Sequence, residues 1–164
     1  MFGFLKSFFG GGSSALTREE IGTLPPKKLY FRVLYSLPDA EEANDAQRDF
    51  VSMVMLDGEV RNGGFNQYYY NMGDEGRRAE QAFGRAGAAD LAEIVRQAND
   101  CYDANRERLA ELWDGTMKGF SASYKEKLFD RFDTAYYAAV EKNRFQALLA
   151  GFVRSRAEEF VPRK

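Results

Sequence analysis

The sequence predicts an all-α fold: a single-domain compact bundle of about six to eight helices with a central buried helix. Three observations predict it. Apolar residues recur at spacings of three and four through most of the chain, and no segment shows the two-residue alternation of a strand. The run Phe50-Val51-Ser52-Met53-Val54-Met55-Leu56 is apolar nearly all round, which marks a helix buried on every side. Proline and glycine gather between the periodic segments, at Pro26, Pro38, Gly63-Gly64, Gly84, Gly87, Gly115 and Pro162. With 164 residues, 45% of them hydrophobic, the chain is long enough to bury one proper core.

The elements follow in order. Residues 1–14 read as an apolar arm and a Gly/Ser linker, and residues 15–164 as a single helical domain. At about 100° per residue, Met1, Phe2, Leu5, Phe8 and Phe9 share one helical face. The arm is too short to span a membrane, and it lacks the basic start and cleavage site of a signal peptide. It is left to dock on its own body, on a second copy of the chain as a homo-oligomer, or on a membrane surface. A single lysine gives little lipid attraction, so membrane contact is not expected. Pro26 opens a helix carrying Leu29, Val33, Leu34 and Leu37, which Pro38 stops. The central helix is expected over 41–61, ended by Asn62-Gly63-Gly64. Helices over 65–72 and 75–84 follow, then a long one over 88–114. Ser123-x-x-Glu126 has the form of a capping box opening a helix to 141. The last helix, over 144–161, carries Phe145, Leu148, Leu149, Phe152 and Phe160 on one face.

Composition excludes more than it assigns. The chain has no histidine, so Ser–His and Cys–His nucleophilic pairs are impossible, and the commonest metal ligand is missing. Cys101 is the only cysteine, which rules out an intramolecular disulfide and a cysteine zinc cluster, and fits a reducing cytoplasm. Its place on an apolar face reads as an inert buried thiol. A net charge of −2 leaves no basic footprint for direct nucleic-acid binding. Without a phosphate loop or a catalytic constellation, no enzymatic activity, no cofactor and no metal site is expected.

The most unusual segment is Asn62-Gly63-Gly64-Phe65-Asn66-Gln67-Tyr68-Tyr69-Tyr70-Asn71, with two glycines, four aromatics and four amides in ten residues. Either glycine can take the left-handed conformation that closes a helix, allowing a sharp reversal. The three tyrosines point about 100° apart, so their rings must meet more than one surface. Asp57 and Glu59 lie where negative charge opposes the helix dipole, so each needs a partner. The N–H groups opening the helix at Phe65 and the amides of Asn62, Asn66, Gln67 and Asn71 are the candidates. Two readings stay open. The segment is either a polar network fixing a helix–helix corner, or a ligand pocket formed by Asp57, Glu59, Asn62, Asn66, Gln67, Tyr68, Tyr69 and Asn71.

Glu59-Val60-x-Asn62-Gly63-Gly64-Phe65-x-Gln67-Tyr68-x-Tyr70-Asn71 resembles the signature of the DNA-mimic protein family, a group of small bacterial helical proteins that includes a domain of unknown function. The resemblance extends loosely over residues 17–160. It implies an all-α fold, no established enzymatic activity and, for the mimic itself, a surface whose carboxylates stand in for DNA phosphates. The motif does not itself write such a surface.

The segment 88–114 is where one would lie. Leu91, Ile94, Val95, Ala98, Cys101, Tyr102, Leu109, Leu112 and Trp113 fall within roughly 120°. Glu93, Asp100, Asp103, Glu107, Glu111 and Asp114 fall within roughly 80° on the other side, with only Arg96 among them. Six carboxylates over about 32 Å of axis give one charge per roughly 6 Å, against about 1.7 Å for duplex DNA. Asp39, Glu41, Glu42, Asp45 and Asp49 form a second acidic run. The expected function is a cytoplasmic, non-enzymatic binding protein whose partner is another protein, reached through a nearly unpaired acidic helix face; the alternative is a small-ligand domain using the corner at 62–71.

Overall fold

The computed structural model describes residues 15–39 and 41–162, and every regular element among them is helical. The all-α expectation holds. The arm residues Met1, Phe2, Leu5, Phe8 and Phe9 lie outside the described residues. The elements are α1 (Arg18–Thr23), α2 (Pro26–Ser36), α3 (Asp45–Met72), α4 (Gly76–Arg85), α5 (Ala89–Ala104), α6 (Arg106–Leu112), α7 (Met117–Ser123), α8 (Asp130–Asn143), α9 (Phe145–Ser155) and α10 (Ala157–Phe160), with 3-10 turns at Gly73–Glu75 and Tyr124–Glu126. They fall into two compact units. Of the described residues, one unit comprises those up to Val51 together with those from Asn143, and the other is Ser52–Lys142.

In the first unit, Leu29 and Val33 of α2, Phe50 of α3, and Leu149, Phe152 and Val153 of α9 are buried, with Ile21 and Phe160 beside them. Phe50 and Phe160 meet edge to face with centroids 6.0 Å apart. α1 precedes the first helix expected from sequence, at Pro26; its six residues bury only Ile21 and so show no period. Its start is nonetheless explicit. The Thr17 hydroxyl accepts from the Glu20 N–H at 3.2 Å, and the Glu20 carboxylate accepts from the Thr17 N–H at 2.9 Å, a capping box. Arg154, itself exposed, donates to the carbonyls of Ile21 at 3.1 Å and Leu24 at 2.7 Å, where α1 ends. The expected helix 144–161 divides at Arg156, whose guanidinium lies 4.4 Å over the Phe152 ring.

In the second unit, α3 buries Met53, Leu56, Val60, Phe65, Tyr68 and Tyr69, and α5 buries Leu91, Val95, Ala98 and Tyr102. The expected helix 88–114 is two helices, parted at Asn105. There the Asn105 N–H reaches the Tyr102 carbonyl at 3.1 Å and the side-chain amide donates to the Cys101 carbonyl at 2.8 Å. An asparagine side chain that engages the backbone competes with the helical ladder. Ser123 does not open a helix. It closes α7, which the sequence reading did not anticipate and which Thr116 caps by accepting from the Gly119 N–H at 3.0 Å. No helix among the described residues is long and apolar enough to cross a membrane.

Candidate binding surfaces

The glycine pair interrupts α3, with Gly63 at φ −158°, ψ 27° and Gly64 at φ 71°, ψ −177°. The second pair of angles is a region open essentially to glycine alone. It is not the left-handed helix-closing conformation expected, and the result is a kink within α3 rather than a reversal. A side chain at Gly64 would also collide with Asp133, whose Cγ stands 2.9 Å from where a Cβ would be. That close approach has a purpose: Asp133 Oδ1 accepts the Phe65 N–H at 2.8 Å. The carboxylate capping the restarted helix thus comes from α8, not from Asp57 or Glu59. On the other side of the kink, the Tyr137 hydroxyl donates to the Val60 carbonyl at 2.6 Å and the Tyr124 hydroxyl to the Gly63 carbonyl at 2.8 Å. Backbone groups left open by the kink are therefore satisfied from α8 and the Tyr124–Glu126 turn.

Asp57 and Glu59 find different partners. Arg61 Nε reaches both Asp57 carboxylate oxygens at 2.9 Å, and the Tyr136 hydroxyl stands 3.4 Å from Oδ1. Burial pushes the Asp57 carboxyl above the usual range despite Arg61, and does the same to Asp133. Glu59 takes two of the expected amides, Gln67 Nε2 and Asn71 Nδ2, both on Oε2 at 2.8 Å. Asn66 turns inward and donates to the Ser123 hydroxyl at 2.8 Å, where Trp113 Nε1 also donates at 3.0 Å. Asn62 is exposed.

The tyrosines divide as their geometry requires. Tyr68 and Tyr69 are each 1% exposed, whereas Tyr70 is 37% exposed. Tyr69 stacks on Tyr102 with centroids 4.4 Å apart and planes 4° from parallel. Its hydroxyl donates to Asn99 Oδ1 at 2.8 Å, and Asn99 Nδ2 donates on to Glu80 at 3.0 Å. The interior of the corner is therefore packed and hydrogen-bonded, with the rings of Tyr68 and Tyr69 shut off from solvent. Asp133, Asn99 and Ser123 complete this network and were missed from sequence. Asn99 left no signal either, since it falls between the apolar and acidic arcs of α5.

The acidic face is exposed but not unpaired. Arg96 bridges Glu93 at 2.6 Å and Asp100 at 2.7 Å. Arg77, reaching over from α4, binds Asp100 at 2.9 Å and Asp103 at 2.5 Å, and Arg106 binds Asp103 at 2.8 Å and Asp74. The Arg96 hydrogen bonds hold the Glu93 carboxyl down to about 2. The face expected to be bare is thus neutralised from Glu93 to Asp103. Beyond the Asn105 break the pattern thins. Glu107 has no ion pair among the described residues, Glu111 meets Arg108 at 3.3 Å, and Asp114 accepts from Thr116. Arg108 is itself shared with Glu126 at 3.0 Å. In the second acidic run, Asp49 is buried and takes no part in an exposed patch.

Other candidates are quiet. Burial pushes the Cys101 thiol up, consistent with an inert thiol. No cluster of carboxylates or thiols among the described residues is arranged to hold a metal. A cavity of about 490 Å³ lies in the first unit, lined by Leu16, Pro38, Glu42, Asn44, Glu159 and Phe160 among others.

An all-helical chain with a glycine kink locked by tyrosines and a remote carboxylate defines a structural class rather than a reaction. The chain belongs to the DMP19-like protein family, whose model matches residues 41–156 and so takes in the kink, the acidic face and α8. Neither the curated proteins nor the solved structures provide a match.

Proposed function

We propose that this protein is a non-enzymatic binding module that presents carboxylates, in the manner of a DNA mimic, to the basic surface of a DNA-binding protein. The observation that carries the reading is the carboxylate group at the C-terminal end of the acidic face. Glu107, Glu111 and Asp114 are exposed, and among the described residues Arg108 is the one arginine paired with them. Family membership supports it, because the acidic face lies wholly within the matched residues. The arginines that neutralise Glu93, Asp100 and Asp103 confine the working charge to the α6 end.

The test is capture from cell lysate on the immobilised full chain, at low and high salt, with and without added duplex DNA. Bound proteins are expected to be DNA-binding, to leave at high salt, and to be displaced by DNA that competes for the same basic surface. Glu107→Lys with Glu111→Lys is expected to abolish capture. Capture indifferent to DNA and to both reversals removes the reading.

A further inference from the structure

The glycine corner has an outer rim as well as a packed interior. Tyr70 is 37% and Tyr124 40% exposed, and both belong to a row of rings. Trp113 and Tyr70 lie 5.6 Å apart, Tyr70 and Phe120 4.6 Å, and Phe120 and Tyr124 5.2 Å. At the Tyr124 end the row meets Glu59. A Cβ placed on Gly63 would stand 2.7 Å from the Tyr124 hydroxyl and 2.9 Å from Gln67 Cβ, so those two side chains flank one Cα, and Gln67 in turn holds Glu59.

Glu59 is an unusual carboxylate. Two neutral amides fix its Oε2, and no cation pairs with it among the described residues. A carboxylate accepts up to about four hydrogen bonds, so Oε1 is open to a donor. The surroundings add to its field. Asp57 and Asp133 lie on either side of the kink, with Arg61 bonded to Asp57 only. The first half of α3 also directs its C-terminal carbonyls, the negative end of a helix dipole, to this place.

We propose that the ring row Trp113–Tyr70–Phe120–Tyr124, with the fixed Glu59 carboxylate at its end, is a binding surface for an arginine-bearing peptide segment. A guanidinium is favoured over other cations on two counts. It is planar, so it stacks on exposed rings while donating to a carboxylate. The carboxylates here are also not gathered as a metal requires. Within the chain the same recognition recurs: Arg106 lies 4.7 Å over Tyr102 and Arg131 4.5 Å over Phe132. The surface shares no carboxylate with the α6 group of the proposed function and stands or falls separately.

Trp113 is the only tryptophan and sits in the row, so its emission reports occupancy in the full chain. A blocked tetra-arginine peptide is expected to shift that emission saturably, with tetra-lysine several-fold weaker. Glu59→Gln and the exposed-site variant Tyr70→Leu are each expected to raise the midpoint by about fivefold, as losing one partly desolvated cation contact does. Glu107→Gln with Glu111→Gln is expected to leave it unchanged. Equal responses to the two peptides, with sensitivity only to the α6 changes, reduce the effect to general charge attraction and overturn the proposal. A folded Glu59→Gln or Tyr70→Leu that binds as the parent does overturns it as well.

Discussion

At Gly64 the backbone holds φ 71° against the Asp133 carboxylate, so two independent penalties meet any other residue there. Gly64→Ala combines a disfavoured conformation with a collision, and it should lower unfolding free energy by about 1–3 kcal/mol or more in urea titration. Asp133 separates hydrogen bonding from charge. Asp133→Ala strands the Phe65 N–H and should lose about 1–3 kcal/mol, whereas Asp133→Asn keeps an acceptor without burying a charge and should lose clearly less. Equal losses in the two variants would mean that the hydrogen bond is not what holds the kink. The glycine was legible in sequence, because a doublet between two apolar helices announces a special backbone. Its partner was not. Asp133 lies 68 residues beyond Phe65, and beside Asp130 it looks like ordinary helix surface.

Among the elements, α5 and α6 show what helical periodicity can and cannot deliver. The apolar arc placed Leu91, Val95, Ala98, Tyr102 and Leu109 in the core, where they are, and the six acids on the surface, where they also are. Periodicity is blind to neighbours, so it could not supply Arg77 from α4, which joins Asp100 and Asp103. Nor could it anticipate the break at Asn105, which turns on one side-chain amide reaching the Cys101 carbonyl. The arginine lattice makes a prediction with two opposite signs. Its pairs are exposed, so Arg77→Ala should change stability by less than about 1 kcal/mol. The same change leaves Asp100 with Arg96 alone and Asp103 with Arg106 alone, so the face turns more negative and salt-sensitive capture of a basic DNA-binding partner should strengthen. Capture weakened by Arg77→Ala in a stably folded protein would mean that the neutralised half of the face, not its charge, is what the partner reads.

Over the whole molecule the helical class and the stretch from Phe50 to Leu56, buried except at the half-buried Met55, were legible, because apolar periodicity records burial directly. The division into two units was not, since its boundary after Val51 falls inside α3 and no linker composition marks it. The whole chain also carries two sets of carboxylates with opposite effects on stability. Burial raises Asp57 and Asp133, while hydrogen bonds from Arg32, Arg106, Arg96, Arg77 and Thr116 lower Glu20, Asp74, Glu93, Asp103 and Asp114 respectively. A raised carboxyl favours folding below its unfolded value of about 3.9, and that contribution is lost as pH climbs through its folded value. A lowered carboxyl does the reverse: its contribution is present above the unfolded value and is lost as pH falls through the folded one, which is about 2 for Glu93. On acidification from neutrality the raised pair protonates first and stability rises; below pH of about 4 the lowered set follows and stability falls. The melting temperature should therefore peak on the acid side of neutrality. Salt should flatten chiefly the acid limb, because those pairs, the part-buried Arg32–Glu20 contact apart, are exposed and screened. Asp133→Asn should shallow the decline from the peak toward pH 7. A melting temperature that falls steadily from pH 7 downward, with the same slope in Asp133→Asn, would show that the buried carboxylates cost the fold nothing.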